Sequence, residues 1–166
     1  MANSTALTGG TRALLDILFQ KQIDLSKLND ALNVNSGVNW SFGDEAAQAN
    51  LLYHGKVTCL DDTAAVDISG SAISDAFGDA CNFGALKFLF IKNNDASEIL
   101  KMGGGVSNDV LICQADSDKI LIQPGGFFAW CDPGATGLDV TSSKNLLLNA
   151  ETTDAEYELI LLGEKE

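Results

Sequence analysis

Covalent catalysis by a serine or cysteine needs a base beside the nucleophile, and His54 is the only histidine in the chain. It lies in the run LLYHGK, where the spacing of apolar residues predicts a strand. No G-x-S-x-G turn occurs to present a serine nucleophile. We therefore interpret His54 as a half-exposed strand residue, and we expect a protein that is not an enzyme.

Acidic side chains are the other candidates for chemistry. Two carboxylates across a cleft can hydrolyse a glycosidic bond, and several in one loop can bind Ca²⁺. Asp116 and Asp118 form a fragment of a calcium loop, but short Asp/Ser segments between strands are also common turns. Both interpretations of these loops stay open. With one histidine and no C-x-x-C pair, the sequence predicts no zinc site, and we expect no cofactor.

Composition excludes several classes of partner. The 166 residues include 23 acidic and 10 basic ones, for a net charge of −13. Nucleic-acid binding needs clustered Lys and Arg, which the chain lacks, so we expect no nucleic-acid partner and no anionic membrane surface. No apolar run approaches the roughly 20 residues of a membrane helix. The four cysteines and the absence of a signal-peptide pattern indicate reduced, buried thiols.

The first 47 residues predict an N-terminal arm with a short helix. Residues 1–10 are small and polar and indicate a flexible arm. Residues 11–22 predict an α-helix, with Leu14 and Leu18 on one face and Leu15 and Phe19 on the next. So short a helix must dock on something, which is either its own domain or a neighbouring subunit.

The segment that follows the predicted helix is harder to classify. Residues 23–32 fit a second short helix. Trp40 and Phe42 alternate with polar residues, which fits either an extended arm with aromatic anchors or a loop folded over the core.

Residues 48–166 predict a mainly β body. Apolar residues alternate with polar ones, and Gly, Pro, Asn and Asp clusters separate the runs. Many short strands without intervening helices indicate a β-sandwich or jelly roll. The predicted strands are residues 51–59, 64–68, 85–92, 98–102, 110–114, 119–123, 126–131, 138–141, 145–149 and 156–162.

Two of these strands carry the largest apolar side chains. In the strand 85–92 we expect Leu86, Phe88 and Phe90 to share one face. The segment 119–137 contains both prolines and predicts a strand, a turn, a strand and a turn. Its second strand is apolar on both faces, and we predict that Phe128 and Trp130 lie on the face that leaves the sandwich interior.

Six blocks of sequence, in their order along the chain, resemble small virion proteins encoded by tailed bacteriophages. The blocks are VDISGSAISDAFG (66–78), FGALKFLFIKN (83–93), MGGGVSN (102–108), IQPGGF (122–127), DPGATG (132–137) and YELILLG (157–163). The resemblance covers residues 66–163 and transfers no catalytic residue. It implies a non-enzymatic virion component, most plausibly a head decoration (cement) protein, although a tail position is also open.

Resemblance and composition together set the functional expectation. We expect a decoration protein that is made in the host cytoplasm and lies on the capsid exterior. Its expected partners are the major capsid protein and further copies of itself, with which it forms a homotrimer. The alternative is a carbohydrate-binding or host-attachment β-module, which needs exposed aromatics on one face; Trp40, Trp130 and Tyr53 are the candidates. The predicted interface residues are Leu14, Leu15, Leu18, Phe19, Trp40, Phe42, Phe128 and Trp130.

Overall fold

The protein is mainly β in a computed structural model that describes residues 6–23, 26–59, 64–70, 72–103, 110, 112, 118–142, 145–150 and 154–166. No helix occurs among these residues. The strands are β1 (Thr8–Ile23), β2 (Ser26–Phe42), β3 (Gln48–Ala49), β4 (Leu51–Cys59), β5 (Ala64–Asp67), β6 (Phe83–Asn93), β7 (Leu100–Gly103), β8 (Lys119–Ile122), β9 (Phe127–Cys131), β10 (Leu138–Asp139), β11 (Asn145–Ala150) and β12 (Ala155–Lys165).

The first two strands form one long antiparallel hairpin. Their register runs without a shift from Thr8 opposite Ser41 to Ile23 opposite Ser26. The predicted helices at 11–22 and 23–32 are therefore wrong. Leucine, glutamine and lysine favour a helix locally, but β2 supplies hydrogen-bond partners along the whole of β1, and tertiary pairing of this extent overrides a weak local preference.

The body contains two antiparallel sheets. We call the one with strand order β10-β6-β12-β4, in which β9 also pairs with β6, the front sheet. The back sheet has the order β5-β11-β7-β8. The chain therefore passes repeatedly from one sheet to the other, and strands that are neighbours in a sheet are mostly distant in sequence.

One hydrophobic core lies between the two sheets. The front sheet contributes Tyr157, Leu159 and Leu161 from β12, and the back sheet contributes Leu146 and Leu148 from β11, all of them buried. Alternate residues along these strands point inward, which is why the sequence pattern located most body strands correctly. The predicted strand at 110–114 lies largely outside the described residues, and its described residues 110 and 112 are not in a strand.

A β-bulge at Lys87 changes which residues of β6 face the core. Phe88 pairs with Leu162 and Leu86 pairs with Gly163, so Lys87 has no opposite residue on β12. Such an extra residue shifts the alternation by one position. Leu86 therefore joins the core, whereas Phe88 packs on the other side of the sheet, and the prediction that they share a face is wrong.

Strand β9 also faces the opposite way from the prediction. Phe128 pairs with Ile91 and Trp130 with Leu89, and both aromatic side chains pack against the core. Phe127 and Cys131 lie on the exposed side instead. The expectation that Phe128 and Trp130 leave the sandwich interior is wrong, because the register to β6 decides the facing of a strand that is apolar on both sides. Cys131 is likewise an exception to the expected burial of the thiols.

Trp130 and Phe127 provide a matched test of this facing. We expect Trp130→Ala to lower the free energy of unfolding by about 2 kcal/mol, because it removes a partly buried side chain from the core. Phe127→Ala should change it by less than about 1 kcal/mol, because Phe127 is 68% exposed. Chemical denaturation of both variants measures the difference, and a larger loss for Phe127→Ala would contradict the facing.

Tyr157 predicts a loss of stability at alkaline pH. Burial raises the pKa of the Tyr157 hydroxyl well above its ordinary value, so the folded state favours the neutral form. Ionisation of Tyr157 therefore has no effect on the free energy of unfolding below about pH 10, the ordinary tyrosine pKa, and lowers it as the pH rises above that value. The hydroxyl has no hydrogen-bond partner among the described residues.

At neutral pH we expect Tyr157→Phe to leave the free energy of unfolding unchanged or to raise it by up to about 1 kcal/mol, because the substitution removes an unpaired buried hydroxyl. The variant should also lose less stability above pH 10 than the unmodified chain. Urea denaturation at both pH values measures this. A destabilised variant at neutral pH would show that the hydroxyl has a stabilising partner.

Candidate interaction site

The hairpin has one apolar face and one polar face. Directly opposed residues of an antiparallel pair point to the same side of the ribbon. Leu15 opposes Val34 and Ile17 opposes Leu32, so these four side chains form a continuous stripe, which we call the apolar face. The other side, the polar face, carries several asparagines together with Leu14 and Leu18; among its opposed pairs are Leu14 with Asn35 and Asp16 with Asn33.

Most of the hairpin projects away from the body. Leu14 on the polar face is 69% exposed and Leu15 on the apolar face is 46% exposed. Ile17, Leu18 and Leu32 are exposed as well. Because both faces of the ribbon are exposed at the same position along its length, none of the described residues packs over it, and this part of the hairpin offers a free surface.

The root of the hairpin is held by Trp40. Its side chain is only 4% exposed and packs with Ala49 and Leu162, and Leu7 and Phe88 pack against the same cluster. The indole Nε1 donates a hydrogen bond of 3.1 Å to Thr11 Oγ1 across the hairpin. Trp40 therefore joins the two strands to each other and to the front sheet.

Lys87 holds the turn that follows the hairpin. Its side chain is fully buried, and Nζ donates hydrogen bonds to the carbonyl oxygens of Glu45 at 2.9 Å and Gln48 at 3.0 Å. The ammonium also forms an ion pair with Glu164. A buried cation is tolerated when its donors are paired in this way. The bulge that directs Lys87 out of the core thus connects the front sheet to the segment between β2 and β3.

An apolar surface continues from the root across the outside of the front sheet. We call it the outer patch and define it by Leu52, Phe90, Phe127 and Ile160. The rings of Phe90 and Phe127 stack with centroids 5.7 Å apart. A groove of about 200 Å³ runs beside Trp40 and includes Leu52 and Ile160 in its lining. Small-molecule pockets usually have about 300–1,000 Å³, so this groove is more suited to a protein side chain than to a ligand.

Charges of both signs border the outer patch. His54 Nε2 lies 2.9 Å from Glu158 Oε1, and Lys56 Nζ lies 3.1 Å from Glu156 Oε1. These pairs are exposed and contribute little to stability. Lys92, opposite both Glu158 and Phe127, lies on the same side of the sheet, so two carboxylates and two ammonium groups border the apolar surface. His54 is an exposed strand residue, in agreement with the sequence interpretation.

The structure separates the predicted interface residues into three groups. Leu14, Leu15 and Leu18 are exposed on the projecting hairpin, and Phe42 is exposed near its root. Trp40 is a buried anchor on the body of its own chain. Phe128 and Trp130 belong to the core side of β9, and the side chain of Phe19 lies outside the described residues.

Sequence reasoning missed Ile17, Leu32 and Val34, which complete the apolar face. The signal was present as alternation of Leu15 and Ile17 with polar Asp16 between them. It was hidden because Leu14 and Leu18 are also apolar, which makes the same segment fit a helical period.

The described acidic loops use their carboxylates to hold turns. Asp95 Oδ1 accepts hydrogen bonds from the backbone amides of Ser97 at 2.8 Å and Glu98 at 2.9 Å, and these bonds lower the pKa of Asp95. Asp139 accepts in the same way from the amide and hydroxyl of Thr141, and its pKa is also lowered. No group of three or more potential metal ligands occurs among the described residues. Asp116 lies outside them.

The three aromatics considered for sugar binding do not share an exposed face. Tyr53 is buried in the core, Trp40 is buried at the hairpin root, and Trp130 packs on the core side of β9. A stacking platform for a glycan needs aromatic rings open to solvent, so these residues do not supply one.

No protein-family model matches the chain, and no curated protein or solved structure matches it either. Within the described part of the chain, no helix has the length and apolarity to cross a membrane.

Trp40 should control the attachment of the hairpin. We expect Trp40→Ala to raise amide hydrogen exchange at the root, residues 8–11 and 38–41, by about a hundredfold, because it removes about 3 kcal/mol of packing. Amides of β6 and β12 should keep their protection. Phe42→Ala, which removes an exposed aromatic two residues away, is the control and should change neither region. Equal acceleration throughout the body would contradict a local anchor.

Proposed function

We propose that this chain is a non-enzymatic virion structural protein of the head decoration (cement) type, which binds the outer surface of a capsid and stabilises the shell. The observation that carries the proposal is the projecting hairpin, which presents exposed apolar side chains from a well-packed β body. The resemblance of residues 66–163 to tailed-phage virion proteins supports the same conclusion.

The topology of the body fits such a role. We infer a jelly roll, which has eight strands in two sheets and is common in capsid proteins. Strands β9 and β10 pair with the same side of β6, so they count as one position, and the body from β4 to β12 then has eight positions. The first, third, sixth and eighth positions (β4, β6, β9 with β10, and β12) form the front sheet, and the other four form the back sheet. This arrangement buries nearly all inward-facing side chains and leaves loops and outer faces free for contacts.

The hairpin supplies what an attachment element needs. It extends from the body at a fixed root, so it can reach a neighbouring surface without loss of the core. A two-stranded hairpin in water is at best marginally stable, and binding to another surface would stabilise it. The arm function proposed for residues 1–47 therefore belongs to a β-hairpin rather than to a helix.

Charge favours a position on the outside of a particle. With a net charge of −13, the chain would be repelled by packaged nucleic acid. The proposed partners are accordingly the major capsid protein and further copies of this chain, and a homotrimer suits the three-fold positions of a capsid lattice.

Co-expression with the major capsid protein encoded on the same genome tests the proposal. We expect the full-length chain to co-sediment with assembled shells and to raise the temperature at which they rupture. A variant without residues 1–22 should lose shell binding, because β1 is then almost entirely absent. The matched control lacks only residues 1–6, which precede β1, and should bind as the full chain does.

Circular dichroism and thermal unfolding of the shortened chain establish whether its body is folded. The decoration proposal is wrong if the full-length chain does not bind shells. The role assigned to the hairpin is wrong if the folded chain without residues 1–22 still decorates shells at full occupancy.

A further inference from the structure

We propose that the apolar face of the hairpin docks on the outer patch of a second copy of this chain, so that neighbouring copies exchange hairpins. This inference deepens the self-association named in the proposed function. It rests on that part of the proposal and can be tested without a shell.

The contact at the root indicates what the apolar face binds. On the apolar side of the hairpin, Trp40 already packs on Leu162, an outward-facing residue of the front sheet. The outer patch lies next to this contact on the same side of the sheet, with Leu52 47% exposed and Phe127 68% exposed. The apolar surface on which Trp40 packs therefore continues into the outer patch, which is also apolar and is exposed.

The free part of the hairpin is placed to reach another molecule. From Arg12 to Ile23 it is about 40 Å long, at about 3.3 Å per residue. It projects from the body, so it does not cover the outer patch of its own chain. Within the described residues β1 is also a sheet edge, with no strand on its other side. A long uncovered edge and an apolar face together favour a partner over exposure to water.

The distribution of charge favours contact between the apolar face of one chain and the outer patch of an identical chain. Two copies with a net charge of −13 repel each other unless they meet where charge is absent or balanced. The apolar face presents Leu15, Ile17, Leu32 and Val34, all uncharged. On the outer side of the front sheet, Glu156 and Glu158 are matched by Lys56 and Lys92: Lys56 pairs with Glu156, and Lys92 lies opposite Glu158. The rest of the surface carries the acidic excess.

Interface area then favours a closed assembly. One whole side of the free ribbon, about 40 Å long and 10 Å wide, presents about 400 Å², and the apolar face is only part of that side. A stable interface buries about 800 Å² on each partner, so a single one-way contact is too small. In a closed dimer or ring each chain both gives and receives a hairpin, which doubles the buried area per chain.

Adjacent leucines on opposite faces give a matched pair of variants. We expect the full-length chain to self-associate in sedimentation-equilibrium experiments over a concentration series. Leu15→Asp should weaken this association at least tenfold, because it places a carboxylate in an apolar contact. Leu14→Asp is the same substitution one residue earlier, on the polar face, and should leave the association unchanged within about twofold. Phe127→Asp should weaken it as Leu15→Asp does.

Mixing the variants tests the exchange itself. Leu15→Asp keeps an intact outer patch and Phe127→Asp keeps an intact apolar face. A mixed pair therefore keeps one of its two contacts, so an equimolar mixture should associate more tightly than either variant alone and more weakly than the unmodified chain. No gain in association on mixing would contradict the exchange. Thermal unfolding of each variant confirms that it is folded.

Three further results would overturn the inference. The first is a full-length chain that stays monomeric at all concentrations. The second is equal weakening by Leu14→Asp and Leu15→Asp, which would show that facing does not matter. The third is unchanged association of Phe127→Asp, which would indicate contacts between hairpins alone. Any of these can occur while the chain still binds shells, so the decoration proposal is tested separately.

Discussion

A β-hairpin of two strands cannot bury enough apolar surface to be stable in water without a third element. In this protein that constraint applies to β1 and β2, which pair along their whole length. The body satisfies it only at the root, where Trp40 packs on the front sheet and Lys87 holds the following turn. In the remaining part of the hairpin, the apolar face stays exposed as far as the described residues show.

The root combines two kinds of interaction with different consequences. Trp40 contributes mainly through burial of apolar area, which is insensitive to small changes in orientation. Lys87 contributes through directed hydrogen bonds and an ion pair with Glu164, which fix the position of the segment between β2 and β3. Gly163 allows this arrangement, because a Cβ atom there would clash with the carbonyl oxygen of Ala85 on the bulged strand. The hairpin is thus attached to a defined place on the sheet.

The distribution of charge complements the distribution of apolar surface. An acidic chain remains soluble because most of its exterior repels other copies. The four residues of the apolar face are uncharged, and charges of both signs border the outer patch. This separation of acidic and apolar surface suits a protein that must stay soluble until it reaches its binding partner and must then bind through apolar contacts. It also explains how exposed leucines on the hairpin are compatible with a high net charge.

Much of the body could be predicted from the sequence. The predicted strands 51–59, 119–123 and 126–131 coincide with β4, β8 and β9 to within one residue at each end. The first follows from alternation of side chains, and the other two follow mainly from the Gly, Pro and Asp residues that bound them. The facing of β6 and β9 could not be predicted. An inserted residue at Lys87 reverses the alternation of β6, and β9 is apolar on both sides, so only its register with β6 decides that Trp130 faces the core.

The candidate site shows the same limit more strongly. The sequence by itself showed that residues 11–22 are amphipathic, and it left open whether Trp40 anchors an extended arm or belongs to a loop over the core. It did not determine that these residues form a strand, because leucine repeats fit a helix as well as they fit β1. Pairing with β2 decides that residues 11–22 form a strand, because only the tertiary structure brings a second strand into register and supplies the backbone hydrogen bonds. The apolar face exists only because of that pairing, which places Leu15 and Ile17 beside Val34 and Leu32.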